Sequence, residues 1–330
     1  MCCARWVSRR PSAPDELRSR PFLGSAVVAA GLLTARQLQS AAWVRLVRNV
    51  YMHRDVEQTG LVRAQALSLV LPPGAVVAGT TAAWLHQAWN PRPGQLVPLE
   101  YARARLAHGT GLAGAALRRR VLFVDDGPWS DVMEIGGIPV LSPMRACFDL
   151  MRERSLVEAV IVADAYARAG LCELPWLAAY VDAHRRWPGV RHTRLAVELS
   201  SARSGSAGET RLRLIVVLAG FPSPLVNPPV YTGIPMILCG YPDLVIMARH
   251  PVIGLEYDGA YHDTREQRQA DNRRENGLAL AGLPLLRYGA YSVARQRELI
   301  VAEISAITGL RALCPLDAAD FRRAPQHRSF

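Results

Sequence analysis

Four residues in the last third of the chain have types and spacing that could do chemistry: Asp243, Glu256, Asp258 and His262. In the apolar run 252–258, read as a strand, side chains alternate between faces. Gly254, Glu256 and Asp258 then share one face, and Ile253, Leu255 and Tyr257 the other. Two carboxylates side by side at the end of such a strand repel each other unless a cation or a proton sits between them. Asp243 opens the preceding apolar segment, and a tight turn at Arg249-His250-Pro251 makes a hairpin that brings it towards Glu256. Hard oxygen ligands at this spacing suit magnesium or manganese. Such an ion polarises a phosphodiester and lowers the pKa of the attacking water. Any one of these residues taken alone reads as a solvated acid at a strand end. The three acids together favour a metal site.

The elements around these residues follow from periodicity and punctuation. A helix covers about 207–219, with Leu212, Ile215, Val216 and Ala219 on one face and Gly220 as its stop. Strand-like segments follow at 225–231 and 235–239, then the two hairpin strands at 243–247 and 252–258. Thr264 caps a polar helix ending at Gly282, residues 283–288 form a short apolar strand, and Ser292 caps a last helix that Gly309 ends. The run of serine, glycine and alanine at 201–208 is the expected domain boundary.

Tyr241-Pro242-Asp243, then Gly254-Leu255-Glu256-Tyr257-Asp258-Gly259, His262, Asp271, Arg274, Leu278, Gly282 and Arg287 together resemble the very-short-patch-repair-like branch of the PD-(D/E)XK nuclease superfamily. Many small bacterial proteins carry this pattern. The resemblance spans about 105 residues, 204–310, and implies a central mixed sheet flanked by helices, with a divalent ion (Mg2+ or Mn2+) held by Asp243 and Glu256. It also places a helix acid near the metal, and Glu209 fits. Ser206 to Glu209 is equally a capping box, in which the glutamate accepts a hydrogen bond from the helix start. The superfamily's usual lysine is replaced by Asp258, and the chain contains no lysine at all. By analogy with mismatch-directed relatives, the resemblance implies His262 as the replacement for acid–base work or charge stabilisation; its other reading is a surface histidine at a strand end. Arg274 either reaches nucleic acid or pairs with Asp271 three residues before it on the helix. Arg287 either contacts phosphate or flanks the last strand.

The formal charge is +11, and all 39 basic residues are arginines. Arginine pairs bidentately with phosphate and with guanine edges, so such a surface suits nucleic acid as well as solubility. Residues 1–54 hold nine arginines against Asp15 and Glu16, a net of +7 that leaves +4 for the rest. This bias points to a DNA contact near the N-terminus, with Arg36, Arg45 and Arg48 as candidates. A short helix at 22–30 ending at Gly31, a second from Thr34 to about Ser40, and a hairpin at 43–51 describe a small winged helix-turn-helix; a small packing subdomain is the other reading. The runs Gly31-Leu-Leu-Thr-Ala-Arg-Gln-Leu38 and Arg45-Leu46 with Val50-Tyr51 are similar to the winged-helix start of AbiEi-type antitoxins. Residues Ser142-Pro143, Arg145 and Asp149-Leu150 are similar to a downstream segment of the same proteins. That resemblance implies promoter DNA as a partner and brings a cognate toxin into consideration. Asn49 stands where a glycine is usual in the wing turn, which asparagine tolerates.

Between these regions the chain reads as mixed. Pro72-Pro73-Gly74 is a turn, 75–78 a strand, Thr81 the cap of a helix through Gln87, and 121–124 a strand. Gly136-Gly137 turns a hairpin between Val132 and Leu141, Ser142-Pro143 opens a helix, and 155–199 is helical with a break at Pro188-Gly189. The six cysteines form no paired motif, which points to a reducing cytoplasm, and the histidines show no zinc-ligand spacing. Residues 22–35 are not read as a signal-peptide core, because Asp15 and Glu16 interrupt the basic start. No stretch is long and apolar enough to span a bilayer. The expected fold class is therefore α/β. A disordered tail at 1–20 is expected to precede a winged-helix-like region at 21–55 and a mixed, then helical, region at 56–203. The nuclease-like sheet at 204–310 and a tail at 311–330 complete the chain. The function expected is DNA binding with metal-dependent phosphodiester hydrolysis. Its rival is an inactive DNA-binding antitoxin or repressor that keeps the nuclease fold as a scaffold.

Overall fold

A computed structural model describes residues 14–91, 95, 97–104, 117–122, 130–248, 251–259 and 265–322. The protein is a mixed α/β chain that divides into two compact units, Met1–Ser142 and Pro143–Phe330. The 201–208 segment lies inside the second unit.

The first unit opens with a three-stranded antiparallel sheet. Its strands β1 (Phe22–Leu23), β2 (Trp43–Val47) and β3 (Val50–His53) lie in the order β1-β3-β2, with helix α1 (Gly24–Ala29) following β1. Gly31, at φ +69°, ends α1 as expected. Thr34 and Gln37 cap each other reciprocally, Gln37 N–H donating to Thr34 Oγ1 (3.2 Å) and Thr34 N–H to Gln37 Oε1 (2.7 Å). They close only a 3-10 turn at Gln37–Gln39, so the second helix is shorter than expected. The hairpin turn uses Asn49 at φ +66°. Its side chain also ties the turn to α1, accepting from Ser25 N–H and donating to Ser25 Oγ, both at 2.8 Å. Leu17, inside the segment read as a tail, is buried with Phe22, Val27, Leu33, Leu38 and Trp43.

The remainder of this unit is a five-stranded mixed sheet, β4 (Ala75–Val77), β5 (Leu99–Ala104), β6 (Leu117–Leu122), β7 (Val132–Ile135) and β8 (Ile138–Leu141), in the order β6-β5-β4-β8-β7. Helices α2 (Gly60–Ser68) and α3 (Gly79–Leu85) accompany it. Two expectations are corrected. Helix α3 starts at Gly79 rather than at Thr81, because Thr81 Oγ1 is used as an acceptor for Glu100 N–H on β5 (2.9 Å). Strand β6 starts at Leu117, not residue 121, drawn into parallel register with the whole of β5.

In the second unit, helices α4 (Pro143–Arg152), α5 (Leu156–Arg168), α6 (Leu174–Ala183) and α7 (Val190–Glu198) precede α8 (Ala207–Leu218). Every residue of α5 from Leu156 to Tyr166 is buried, Glu158 and Asp164 included. Their partners come from α8: Arg211 Nη2 lies 2.5 Å from Glu158 Oε1, and Arg213 Nη2 lies 2.8 Å from Asp164 Oδ2. The small-residue segment is fixed by the same network. Ser201 N–H donates to Asp164 Oδ1 (2.7 Å), and Arg168 Nη1 donates to the carbonyl of buried Ser204 (2.7 Å).

After α8 come β9 (Leu225–Val226), β10 (Val230–Thr232), β11 (Ile237–Gly240), β12 (Leu244–Ile246), β13 (Ile253–Asp258), α9 (Arg265–Leu280), β14 (Leu285–Gly289), α10 (Ala290–Arg295) and α11 (Arg297–Thr308). Strands β14-β13-β12-β9 form one mixed sheet, in which β13 runs antiparallel to β12 and parallel to β14. Strands β10 and β11 form a separate antiparallel ribbon. Ser292 does not cap the last helix. It lies within α10, donates to Gln296 Oε1 (3.0 Å), and the chain breaks there before α11. Among the described residues no helix is long and apolar enough to cross a membrane.

Residues 311–322 pack onto this unit rather than trailing from it. Leu313 N–H donates to the Ala219 carbonyl (2.9 Å), Val157 N–H to that of Asp320 (3.1 Å), and Ser155 Oγ to that of Arg322 (2.7 Å). Phe321 is buried beneath the Arg297 guanidinium, 4.7 Å from its ring. Removing residues 311–330 should therefore lower stability by about 2–4 kcal/mol, from one buried aromatic and two unsatisfied helix-start donors. Urea unfolding of the shortened chain measures this, and an unchanged midpoint would show the segment to be dispensable.

Candidate functional site

Strand β13 is the centre of the site because it has neighbours on both sides. On one side Leu244 pairs with Leu255, so Asp243 stands beyond the end of β12 beside Glu256 and Tyr257. Its Oδ2 accepts the Tyr257 backbone N–H (2.8 Å), and its own carbonyl accepts from Asn227 N–H (2.9 Å). The hairpin thus juxtaposes the two acids in the way the sequence reading requires. On the other side Glu256 is in register with Arg287 of β14, whose Nε lies 3.2 Å from Glu256 Oε2. Arg274, from α9, reaches the other carboxylate oxygen, Oε1, at 2.5 Å. Arg287 also holds Glu275 through Nη2 at 2.5 Å. Glu256 is only 7% exposed, and burying a carboxylate is costly unless it is paired, as the two guanidiniums pair it here.

Glu209 performs its capping function. Ser206 Oγ accepts Glu209 N–H (3.2 Å), and Glu209 Oε2 accepts the N–H of Gly205 (2.6 Å) rather than that of Ser206. It also acts on the site at a distance. Burial pushes the Asp243 carboxyl up to about 6, the charges of Glu209 and Glu256 push in the same direction, and the Tyr257 N–H and Arg274 oppose them. Three acids from α8, the start of β12 and β13 therefore share one electrostatic neighbourhood. Gly208 allows this approach. A Cβ there would lie 2.1 Å from the Tyr257 ring, so α8 reaches β13 only because that position carries no side chain. Gly208→Ala should cost about 1–3 kcal/mol through overpacking and move Glu209 away from Asp243. Thermal unfolding tests this, and a neutral effect would show that Tyr257 swings aside.

Asp258 ends β13 exposed to solvent, its backbone in register with Gly289. His262 lies outside the described residues, as does the side chain of Asp271. Among the described residues no three acids, histidines or cysteines are drawn together closely enough to hold an ion as they stand. The sequence reading did not anticipate the arginine clamp on Glu256. The parallel pairing of β14 with β13 produces it, and no local signal in the sequence encodes that register.

In the first unit Arg36, Arg45 and Arg48 are all exposed, Arg45 on β2 and Arg48 in the turn beside Asn49. No protein-family model matches the chain, and no curated protein matches it.

Proposed function

We propose that the second unit carries a PD-(D/E)XK-type, very-short-patch-repair-like site and that the protein binds DNA and hydrolyses its phosphodiester bonds with a divalent ion. The observation that carries this reading is the placement of Asp243 beside Glu256 across β12 and β13, with Glu209 acting on Asp243 from α8. The sheet order, with β13 between an antiparallel and a parallel neighbour after one long helix, supports it. The donor set fits a hard cation: all three groups are carboxylates, and burial together with mutual repulsion makes charge on Asp243 costly until a cation arrives. Asp243 and Glu256 would hold magnesium or manganese, with Glu209 as a third donor. The ion would supply Lewis-acid polarisation of the phosphodiester and a more acidic water. Asp258, in solvent at the strand end, would be a further ligand or orient water, and His262 is the proposed acid or base. Arg274 and Arg287 already bind the carboxylate that the ion would need. A phosphate entering the site would therefore exchange partners with an existing ion pair, and both arginines become its natural contacts. In the first unit, the exposed Arg36, Arg45 and Arg48 of an AbiEi-like winged helix would meet the duplex backbone.

Nicking of supercoiled plasmid with and without magnesium tests the reading. Metal-dependent nicking is expected, and its absence on single-stranded, duplex and mismatched substrates would remove the enzymatic part. One observation favours a second reading, a DNA-binding antitoxin or repressor that keeps the fold as a scaffold. Two arginines neutralise Glu256 without any metal.

Two further results follow. Because Asp243 takes up a proton near pH 6, magnesium should raise the melting temperature above that pH, and the gain should fade as pH drops through it. A gain that persists undiminished at pH 5 would exclude Asp243 as a ligand. Arg45→Ala with Arg48→Ala should weaken DNA binding and lower the salt slope by about two, roughly one per lost phosphate contact. An unchanged slope would take the hairpin out of the interface.

A further inference from the structure

The ribbon formed by β10 and β11 leaves a run of apolar side chains exposed in the second unit. At its tip Ile234, Met236 and Ile237 are 102%, 71% and 62% exposed. Tyr231 and Leu238 are cross-strand partners, and both are exposed; Tyr241 follows at the base. The opposite face is anchored. Cys239 packs against Gly277 of α9, Gly240 packs against the Arg274 side chain, and Val230 and Cys239 join the buried cluster of Val245, Leu278 and Leu283. The ribbon is therefore held firmly at its base while its tip and outer face meet water.

Charge decides which partner suits it. No charged residue occurs anywhere between Arg213 and Asp243. A nucleic-acid surface needs cations to replace the counterions of the phosphates, and this protein supplies them elsewhere in abundance. An edge ribbon normally carries lysine, proline or inward charges that keep other chains away. Here Pro235 sits in the turn and no charge guards either strand. At the ~150–250 Å2 that a large apolar side chain presents, these six residues expose roughly 700 Å2 per molecule. That is close to the ~800 Å2 per partner of a stable protein interface. A symmetric pair needs a patch complementary to itself, and a neutral apolar ribbon meets its own copy without charge repulsion, even on a chain of net charge +11.

We infer that the β10–β11 ribbon is a self-association surface, on which a second copy of this chain packs its own Tyr231, Ile234, Met236 and Leu238. The inference is independent of any nuclease activity. Sedimentation velocity of the full chain across a concentration series, at high salt to remove bound nucleic acid, should show a monomer–dimer equilibrium. Ile234→Glu combined with Leu238→Glu places four like charges in the pair and should weaken association at least about 100-fold. Both positions are exposed, so circular dichroism and the low-concentration melting temperature should not change. A wild type that stays monomeric throughout the series overturns the inference, and so does a variant that dimerises as well as the wild type. A monomeric wild type whose DNA affinity falls in the same variant would overturn it and assign the ribbon to nucleic acid.

Discussion

Glu256→Gln should abolish metal-dependent cleavage, lowering the rate by several orders of magnitude, while DNA association stays within a few-fold of wild type. The substitution preserves shape and removes the charge that the two arginines bind and that the proposed divalent ion would bind. Without that charge the proposed ion would lose a central ligand, and with it the polarisation that the proposed hydrolysis needs. The fold should survive because Arg274 and Arg287 are partly exposed, at 31% and 41% of their side chains, and can turn to water. Asp243→Asn should behave alike in cleavage and should also lose the pH dependence of magnesium stabilisation. Loss of His262 should cost roughly 10²–10⁴-fold, the range for an acid–base group. Calorimetry provides a readout that does not depend on turnover. Magnesium at a hundred times its dissociation constant should stabilise the wild type by about 2.7 kcal/mol and neither acid variant at all. If magnesium stabilises Glu256→Gln as well as the wild type, the ion binds elsewhere and the site is the arginine-neutralised scaffold of the second reading.

Arg213→Leu should cost about 3–5 kcal/mol, the expected effect of stranding a buried partner charge. Asp164 is 1% exposed and relies on Arg213, Thr210 Oγ1 (2.8 Å) and the Ser201 N–H. Burial already raises its carboxyl above the ordinary range, with Arg213 the largest opposing influence. Without the guanidinium, Asp164 must take up a proton on folding, so the loss should shrink at acidic pH, where the unfolded carboxyl is protonated too. Arg213→Leu with Asp164→Leu should recover part of the loss, since an apolar pair leaves no charge stranded. Urea unfolding of the three proteins measures the coupling. Additive single effects would show that the pair is not acting as a unit.

The site's local parts were legible in the sequence. Period-two alternation in 252–258 placed Glu256 on one face, and the apolar segments on either side of Arg249-His250-Pro251 placed Asp243 opposite. Gly31, Gly220, Gly282 and Gly309 marked helix ends, and each adopts a left-handed φ. What could not be read is what depends on long-range partners. Thr81 resembled a cap because it precedes a helical run, but β5 claims its hydroxyl. Residues 201–208 resembled a linker because they are small, yet small residues also suit a crowded junction, here between Asp164, Arg168 and Arg213. Glu209 was given two roles from the sequence. It fills the capping role and also bears on Asp243, and these do not exclude each other because one residue can cap a helix and contribute to the field beyond it.

The order of events during synthesis is constrained by one long connection. The first unit is complete once Ser142 has emerged and can close while the ribosome is still at work. The second cannot, because the opening turn of α5 is secured by carbonyls of Asp320 and Arg322, the latter 167 residues downstream of Ser155. Until those residues appear, a helix that the finished fold buries from Leu156 to Tyr166 waits without its last partners. Closing so distant a contact is entropically slow. A nascent chain halted shortly before that point therefore presents the segment that a chaperone or a protease recognises first.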